Sequence, residues 1–290
     1  MTYTRGARDE TGAVEGARAA FARLHHRGEP LLLPNAWDHA SAAALAAAGF
    51  EAVGTTSLGV AAGLGVPDGA AASADATLVL ARRLGRDGFL FSVDAEGGFS
   101  DDPHQVAAYA RQLADAGAAG INLEDGRPDG TLAPVELHAA KITAVKGAVP
   151  DLFVNARTDT HWLSRDSRNG PRGSRNGPHI QGGGATAERL GRYEQAGADG
   201  VFVPGLSDPD TIAALTAALR TPLNILASPA GPTLPELAAL GVRRVSLGSL
   251  LYRSALTAAL HTAREVRAGR PVDAGVISYG EVQQLGVACP

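Results

Sequence analysis

The strongest constraint on this chain is a rhythm of eight short apolar runs, each followed by an Ala/Leu-rich stretch with helical spacing. The runs are 31–37 (LLLPNAW), 52–57 (AVGTTS), 89–95 (FLFSVDA), 119–125 (AGINLED), 152–158 (LFVNART), 200–205 (GVFVPG), 222–228 (PLNILAS) and 243–249 (RRVSLGS). Strand–helix repetition implies parallel pairing, because only a crossover can return the chain to start the next parallel strand. Gly49, Gly117, Gly197 and Gly241 stand between a helical stretch and the next run, where a left-handed residue closes a helix. Eight such units predict an α/β fold, a (β/α)8 TIM-type barrel, over a single catalytic domain at 1–270. The GLGVPDG segment at 63–69 does not support a dinucleotide-binding sheet, since its glycines lack the required spacing and no strand immediately precedes them.

Two segments fall outside the rhythm. Residues 164–184 repeat SRNGP, carry almost nothing apolar, and are expected to form a flexible Gly/Arg/Asn-rich insertion, either a lid or a tolerated ornament. Residues 271–290 form a C-terminal extension whose Val, Ile, Tyr and Leu need a surface that a finished barrel no longer offers, which implies a packing partner. Composition closes off several function classes. A single cysteine, Cys289, rules out a disulfide scaffold, and a net charge of −4 without any basic run argues against nucleic acid and anionic lipid as partners. No apolar run is long enough to span a membrane, and the N-terminal residues lack the apolar core of a signal peptide, so the cytoplasm is the expected compartment.

In a barrel of this kind the polar residues that follow each strand point into the active face. That rule selects Asn35, Asp38, the Thr55–Gly59 turn, Asp94, Glu96, Glu124, Asp125, Asn155, Arg157, Asp159 and His161, with Asn224 inside the seventh strand and Ser228 at its end. Asp94, Glu96 and Glu124, with Asp68 on the loop after the second strand, place four carboxylates around one mouth. Such a group must protonate or hold a cation, and an all-oxygen donor set favours Mg2+, or Mn2+, over Zn2+. The alternative is a turn made by Asp68 and ion pairs made by the other acids. Arg157 offers a planar fork for a carboxylate or phosphonate, unless it pairs with Asp125 or Asp159. The Thr55–Gly59 turn can present backbone N–H groups to an oxyanion, or serve only as an ordinary strand-to-helix connection. His161, His104 and His138 are the candidate proton carriers.

Together VGTTSLGVAAGLGVPD, SVDAEGGFSDDP, GINLED and VNART resemble the isocitrate lyase/phosphoenolpyruvate mutase superfamily, over roughly residues 29–268. The resemblance implies Mg2+ near Asp94, with Asp68, Glu96 and Glu124 as direct or water-mediated ligands. It also implies a 2-oxo or 2-hydroxy acid held by Thr56, Ser57, Leu58 and Arg157; Asn224, chosen by its place in the seventh strand, is a further candidate for binding it. A dimer or tetramer built by exchange of a C-terminal helix follows from the same likeness.

The departures narrow the chemistry. The family's lyases carry a Lys-Arg-Cys-Gly-His loop after the fourth strand; here that stretch reads EDGRPDGTLAPVELH, without Cys or Lys. The mutases have a His after the sixth strand, where this chain has Pro204. What remains in common is stabilisation of an enolate, which predicts a Mg2+-dependent carbon–carbon lyase acting by decarboxylation or retro-aldol cleavage. The rivals are a C–P bond enzyme of the phosphoenolpyruvate mutase or phosphonopyruvate hydrolase type, and an inactive barrel that binds a 2-oxo acid.

Overall fold

In the computed structural model, which describes residues 10–163, 183–272 and 275–286, nine parallel strands form one sheet curled into a nearly closed barrel. The strands are β1 (Leu31–Leu33), β2 (Asn35–Ala36), β3 (Val53–Thr55), β4 (Phe91–Asp94), β5 (Gly120–Glu124), β6 (Phe153–Arg157), β7 (Gly200–Val203), β8 (Leu223–Leu226) and β9 (Arg244–Ser246). Each of the eight expected runs is a stave of the barrel, but the first is divided in two. Pro34 has no N–H to give to a ladder, so it interrupts the run while its carbonyl accepts from the Gly54 N–H at 2.8 Å. Leu31–Leu33 then pair with β9, and Asn35–Ala36 pair with β3.

Around the strands lie α1 (Glu10–Leu24), α2 (His39–Ala47), α3 (Ser57–Leu64), α4 (Ala74–Arg86), α5 (Pro103–Asp115), α6 (Val135–Ala148), α7 (Gly183–Gln195), α8 (Pro209–Ala218), α9 (Leu234–Ala239), α10 (Leu250–Arg267) and α11 (Tyr279–Leu285). Local chemistry sets their limits. Asp102 and Asp208 cap α5 and α8, each just before a proline whose missing N–H costs nothing at a helix start. The four glycines expected to close helices have φ of 90°, 98°, 101° and 85° at Gly49, Gly117, Gly197 and Gly241, the left-handed region that a side chain would strain. The 164–184 segment lies almost wholly outside the described residues; its last two positions open α7.

Strand alternation sorts the side chains into two environments. Phe91, Val93, Ile121, Leu123, Val154, Ala156, Val201, Val203, Ile225 and Val245 face the helices and make the main core. The opposite parity, which faces the barrel axis, is largely polar and includes Asn122, Asn155, Asn224, Arg244 and Ser246. The amino-terminal end of the barrel is plugged by a smaller cluster in which Phe21 of α1 meets Leu31, Leu33 and Phe153.

Packing between layers is close enough to test. A Cβ at Gly85 of α4 would stand 1.8 Å from the Ala116 carbonyl oxygen, whereas one at Gly191 of α7 would meet nothing within 4 Å. Gly85→Ala is therefore expected to cost about 1–3 kcal/mol by forcing α4 away from the end of α5. Gly191→Ala should gain about 0.5–1 kcal/mol through helix propensity. Urea unfolding of both variants checks the sign of each.

Helix α10 buries none of its side chains, leaving Leu256, Leu260 and Val266 exposed, and the tail around α11 exposes Val276, Ile277, Tyr279 and Val282. Among the described residues no helix is long and apolar enough to cross a membrane.

Candidate active site

The carboxyl ends of β3 to β6 bring the acids to one rim. Asp94 ends β4; its N–H donates to Thr55 Oγ1 at 2.9 Å, and its Oδ2 accepts from the Ser57 N–H at 3.2 Å. Ser57 opens α3, so the helix points its positive end at Asp94. Asp68 lies beside Ser57 and Asp94, and its carboxyl is pushed up by burial and by the neighbouring charge of Asp94. Asp68 is therefore part of the cluster rather than only a turn residue.

Glu96 sits in a cradle made by the loop after α3. Its Oε1 accepts from Ser73 Oγ at 2.6 Å and its Oε2 from the Ala71 N–H at 3.1 Å. Both Glu96 and Ala71 have positive φ, 48° and 55°, a backbone cost that non-glycine residues bear mainly at functional sites. The following Gly97 carbonyl accepts from Lys141 Nζ of α6 at 3.0 Å, which anchors this loop from behind. Burial raises the Glu96 carboxyl, with Asp94 and Asp68 adding to the effect.

Glu124 ends β5 and pairs with Arg157 Nη1 at 2.6 Å, across the register that aligns the two strand ends. Arg157 also gives Nε and Nη2 to Asp159, at 2.6 and 2.9 Å, and its guanidinium carbon lies 5.8 Å from the Phe202 ring centre. Burial holds Glu124 well above the ordinary carboxylate range; Arg157 opposes this, while Asp159, Asp94 and Asp68 reinforce it. Burial disfavours the Arg157 cation, but Asp159 and Glu124 outweigh burial and raise it. Asp68 and Asp94 thus act on each other and on both Glu96 and Glu124, and Arg157 is the direct counter-ion of Glu124.

Several residues chosen by the strand-end rule have other work. Asn35 gives Nδ2 to the Thr55 carbonyl and accepts at Oδ1 from the Leu247 and Gly248 N–H groups, which stitches the barrel shut across Pro34. Asp38 caps α2. Asn155 and Asn224 are buried inside the barrel, bonded to Asn122 and Ser246. Asp125 is fully buried and pairs with Arg189, not Arg157. His161 packs its backbone on Gly205 and lies within electrostatic range of Asp208, while His138 is buried in α6 against Tyr193 and His104 starts α5. Thr56 is buried, and Leu58 follows Ser57 in the first turn of α3.

Sequence reasoning missed Ser73, Ala71 and Lys141, which hold the Glu96 loop, and Arg244. Only Ser73 carried a signal, as a polar residue just ahead of α4.

The donor set suits a weakly held hard cation. Among the described residues no three His, Cys, Asp or Glu side chains come close enough to enclose an ion by themselves. Among the same residues, however, Asp94 Oδ1 is buried with no hydrogen-bond partner, in range of three further carboxylates. An ion that takes one or two protein oxygens and keeps its waters fits this arrangement, and Mg2+ binds in that way.

Residues 21–267 match the family model described as phosphoenolpyruvate phosphomutase. An uncharacterized protein of Mycobacterium tuberculosis (strain ATCC 25618 / H37Rv) is 44% identical over 264 residues, covering 91% of this chain and 95% of its own. The oxaloacetate decarboxylase of Ectopseudomonas mendocina (strain ymp) is 30% identical over 223 residues, 72% of this chain and 70% of that protein. Among solved structures, phosphonopyruvate hydrolase in complex with oxalate and Mg2+ superposes with a TM-score of 0.78 at 25% identity, covering 93% of this chain and 95% of that one.

Proposed function

Because the chain belongs to the phosphoenolpyruvate phosphomutase family, within the isocitrate lyase/phosphoenolpyruvate mutase superfamily, we propose that it is a Mg2+-dependent carbon–carbon lyase. Its substrate is a small 2-oxo or 2-hydroxy carboxylic acid, cleaved next to the carbonyl through an enolate. The observation that carries this reading is the buried, partnerless Asp94 Oδ1 at a rim shared by Asp68, Glu96 and Glu124. Asp94 would hold Mg2+ directly and the other three through water. The ion would act as a Lewis acid on the substrate's 2-oxo carboxylate.

The chain's own groups do the rest. The amino end of α3, at Thr56, Ser57 and Leu58, offers N–H groups and helix-dipole charge to the substrate's oxygens. Arg157 uses three N–H groups on Glu124 and Asp159, so one hydrogen on each terminal nitrogen remains for the substrate's anionic end. Held between two carboxylates, the fork is preorganised and loses little freedom when a ligand arrives. The loop after β5 supplies neither Cys nor Lys, which favours decarboxylation over cleavage that needs a dedicated acid or base. The uncovered apolar side of α10 suits a second copy of the chain, in a dimer or tetramer formed by helix exchange.

Incubation with Mg2+ and a panel of 2-oxo acids, 2-hydroxy acids and phosphonates tests the reading. Release of pyruvate or glyoxylate supports it. Phosphate release from a phosphonate would replace it with C–P chemistry, and tight binding without products would leave a binding barrel. Arg157→Lys should raise KM about tenfold or more, because a point charge replaces a fork; an unchanged KM would make Arg157 structural.

A further inference from the structure

The mouth has a second cation beneath it. Arg244 is the first residue of β9, points to the barrel axis and is 1% exposed. Its Nη2 donates to Asn122 Oδ1 at 3.1 Å and its Nε to Ser246 Oγ at 3.2 Å, both neutral partners, and its Nη1 has none among the described residues. Arg157 and Arg189 each reach a carboxylate within 3.0 Å. A buried guanidinium bonded only to neutral groups is costly, and such a residue calls for a compensating role.

Position suggests that role. Asn122, which Arg244 touches, is the register partner of Asp94 and lies two residues before Glu124 on the same face of β5. The guanidinium therefore lies against a side chain that is level with Asp94 and two residues before Glu124, on the axial side of the acidic rim. Burial brings Arg244 down to about 9, and Asp94 acts in the opposite direction, so the group is a cation at neutral pH and its charge reaches the rim. Among the described residues, buried polar atoms without partners in this part of the barrel include Arg244 Nη1, Asp94 Oδ1 and Ser92 Oγ, and, on the side of the amino-terminal plug, Nε2 of His25, which lies within electrostatic range of Arg244.

We propose that Arg244 is a specificity-determining charge for the site above it, which favours a doubly charged small acid over a singly charged one and restrains affinity for the divalent ion. The proposal rests on the metal-site reading given above. A through-space charge acts in proportion to the charge of what binds, whereas a loss of packing does not. Its signature is therefore a graded change, opposite in sign for cation and anion.

Arg244→Met, Arg244→Gln and Arg244→Lys are compared with the parent by calorimetry. The ligands are Mn2+ alone, then oxalate and pyruvate on the Mn2+-loaded protein. With the cation removed, pyruvate should bind about threefold more weakly, oxalate about tenfold more weakly, and Mn2+ about tenfold more tightly, the scale of one charge acting across a partly polar interior. The Lys variant should stay within about twofold of the parent for all three. If Met does not fold, Gln carries the comparison. Equal weakening of oxalate and pyruvate, or unchanged constants beside a lowered Tm, overturns the proposal alone. A parent protein that binds no Mn2+ overturns it together with the metal reading.

Discussion

Asp94→Ala is expected to abolish the proposed Mg2+-dependent lyase reaction, with a loss of about a thousandfold or more in kcat/KM, while the protein remains folded. The size follows from the role: a Lewis acid supplies several kcal/mol of transition-state stabilisation, and about 4 kcal/mol is a thousandfold in rate. Folding should survive, because Asp94 accepts only one N–H, that of Ser57, and its removal relieves repulsion with Asp68, Glu96 and Glu124. Mg2+ should raise the Tm of the parent and leave the variant unmoved. Full activity in the variant would remove Asp94 from the site.

The largest effect on stability is expected one residue after Glu124. Asp125 is fully buried and accepts from Thr158 Oγ1 at 2.8 Å, the Asp159 N–H at 2.9 Å, Tyr193 Oη at 2.7 Å and Arg189 Nη1 at 3.0 Å. It ties the end of β5 to the β6 loop and to α7. Asp125→Ala leaves the Arg189 cation and the Tyr193 hydroxyl without that acceptor, and loss of one member of a buried pair costs about 3–5 kcal/mol. For a chain of this size the Tm should fall by roughly 10 °C. Asp125→Asn, which keeps one acceptor oxygen, should fall between parent and Ala. Equal thermal stability of all three proteins would show that the network contributes nothing.

Both residues occur in runs that the sequence marks as strand ends, yet only one reaches the acidic rim, and the reason is strand parity. Glu124 and Asp125 are neighbours; the first faces the axis and the second faces the helices, where Arg189 and Tyr193 wait on α7. The barrel itself was legible, because apolar runs, helical stretches and closing glycines repeat with one period. The acidic rim was legible because acids after consecutive parallel strands must converge. Asn155 and Asn224 were misleading, since polar residues in mid-strand read as lining the mouth when they serve one another inside the barrel. Arg244 was hidden beside Arg243, which bonds the Arg27 and Gly28 carbonyls outside the axis. Two adjacent arginines look alike in a sequence, and only the register of β9 separates them.

In the proposed mechanism the rim holds a divalent ion which shares the charge of a small organic acid. The most direct measurement is a crystal structure of the parent protein grown with Mg2+ and oxalate. The expected result is an ion about 2.1 Å from an oxygen of Asp94, its remaining positions filled by water and oxalate, with Asp68, Glu96 and Glu124 around it. An oxalate bound by Arg157 with no ion beside Asp94, or an ion held elsewhere in the barrel, would contradict it.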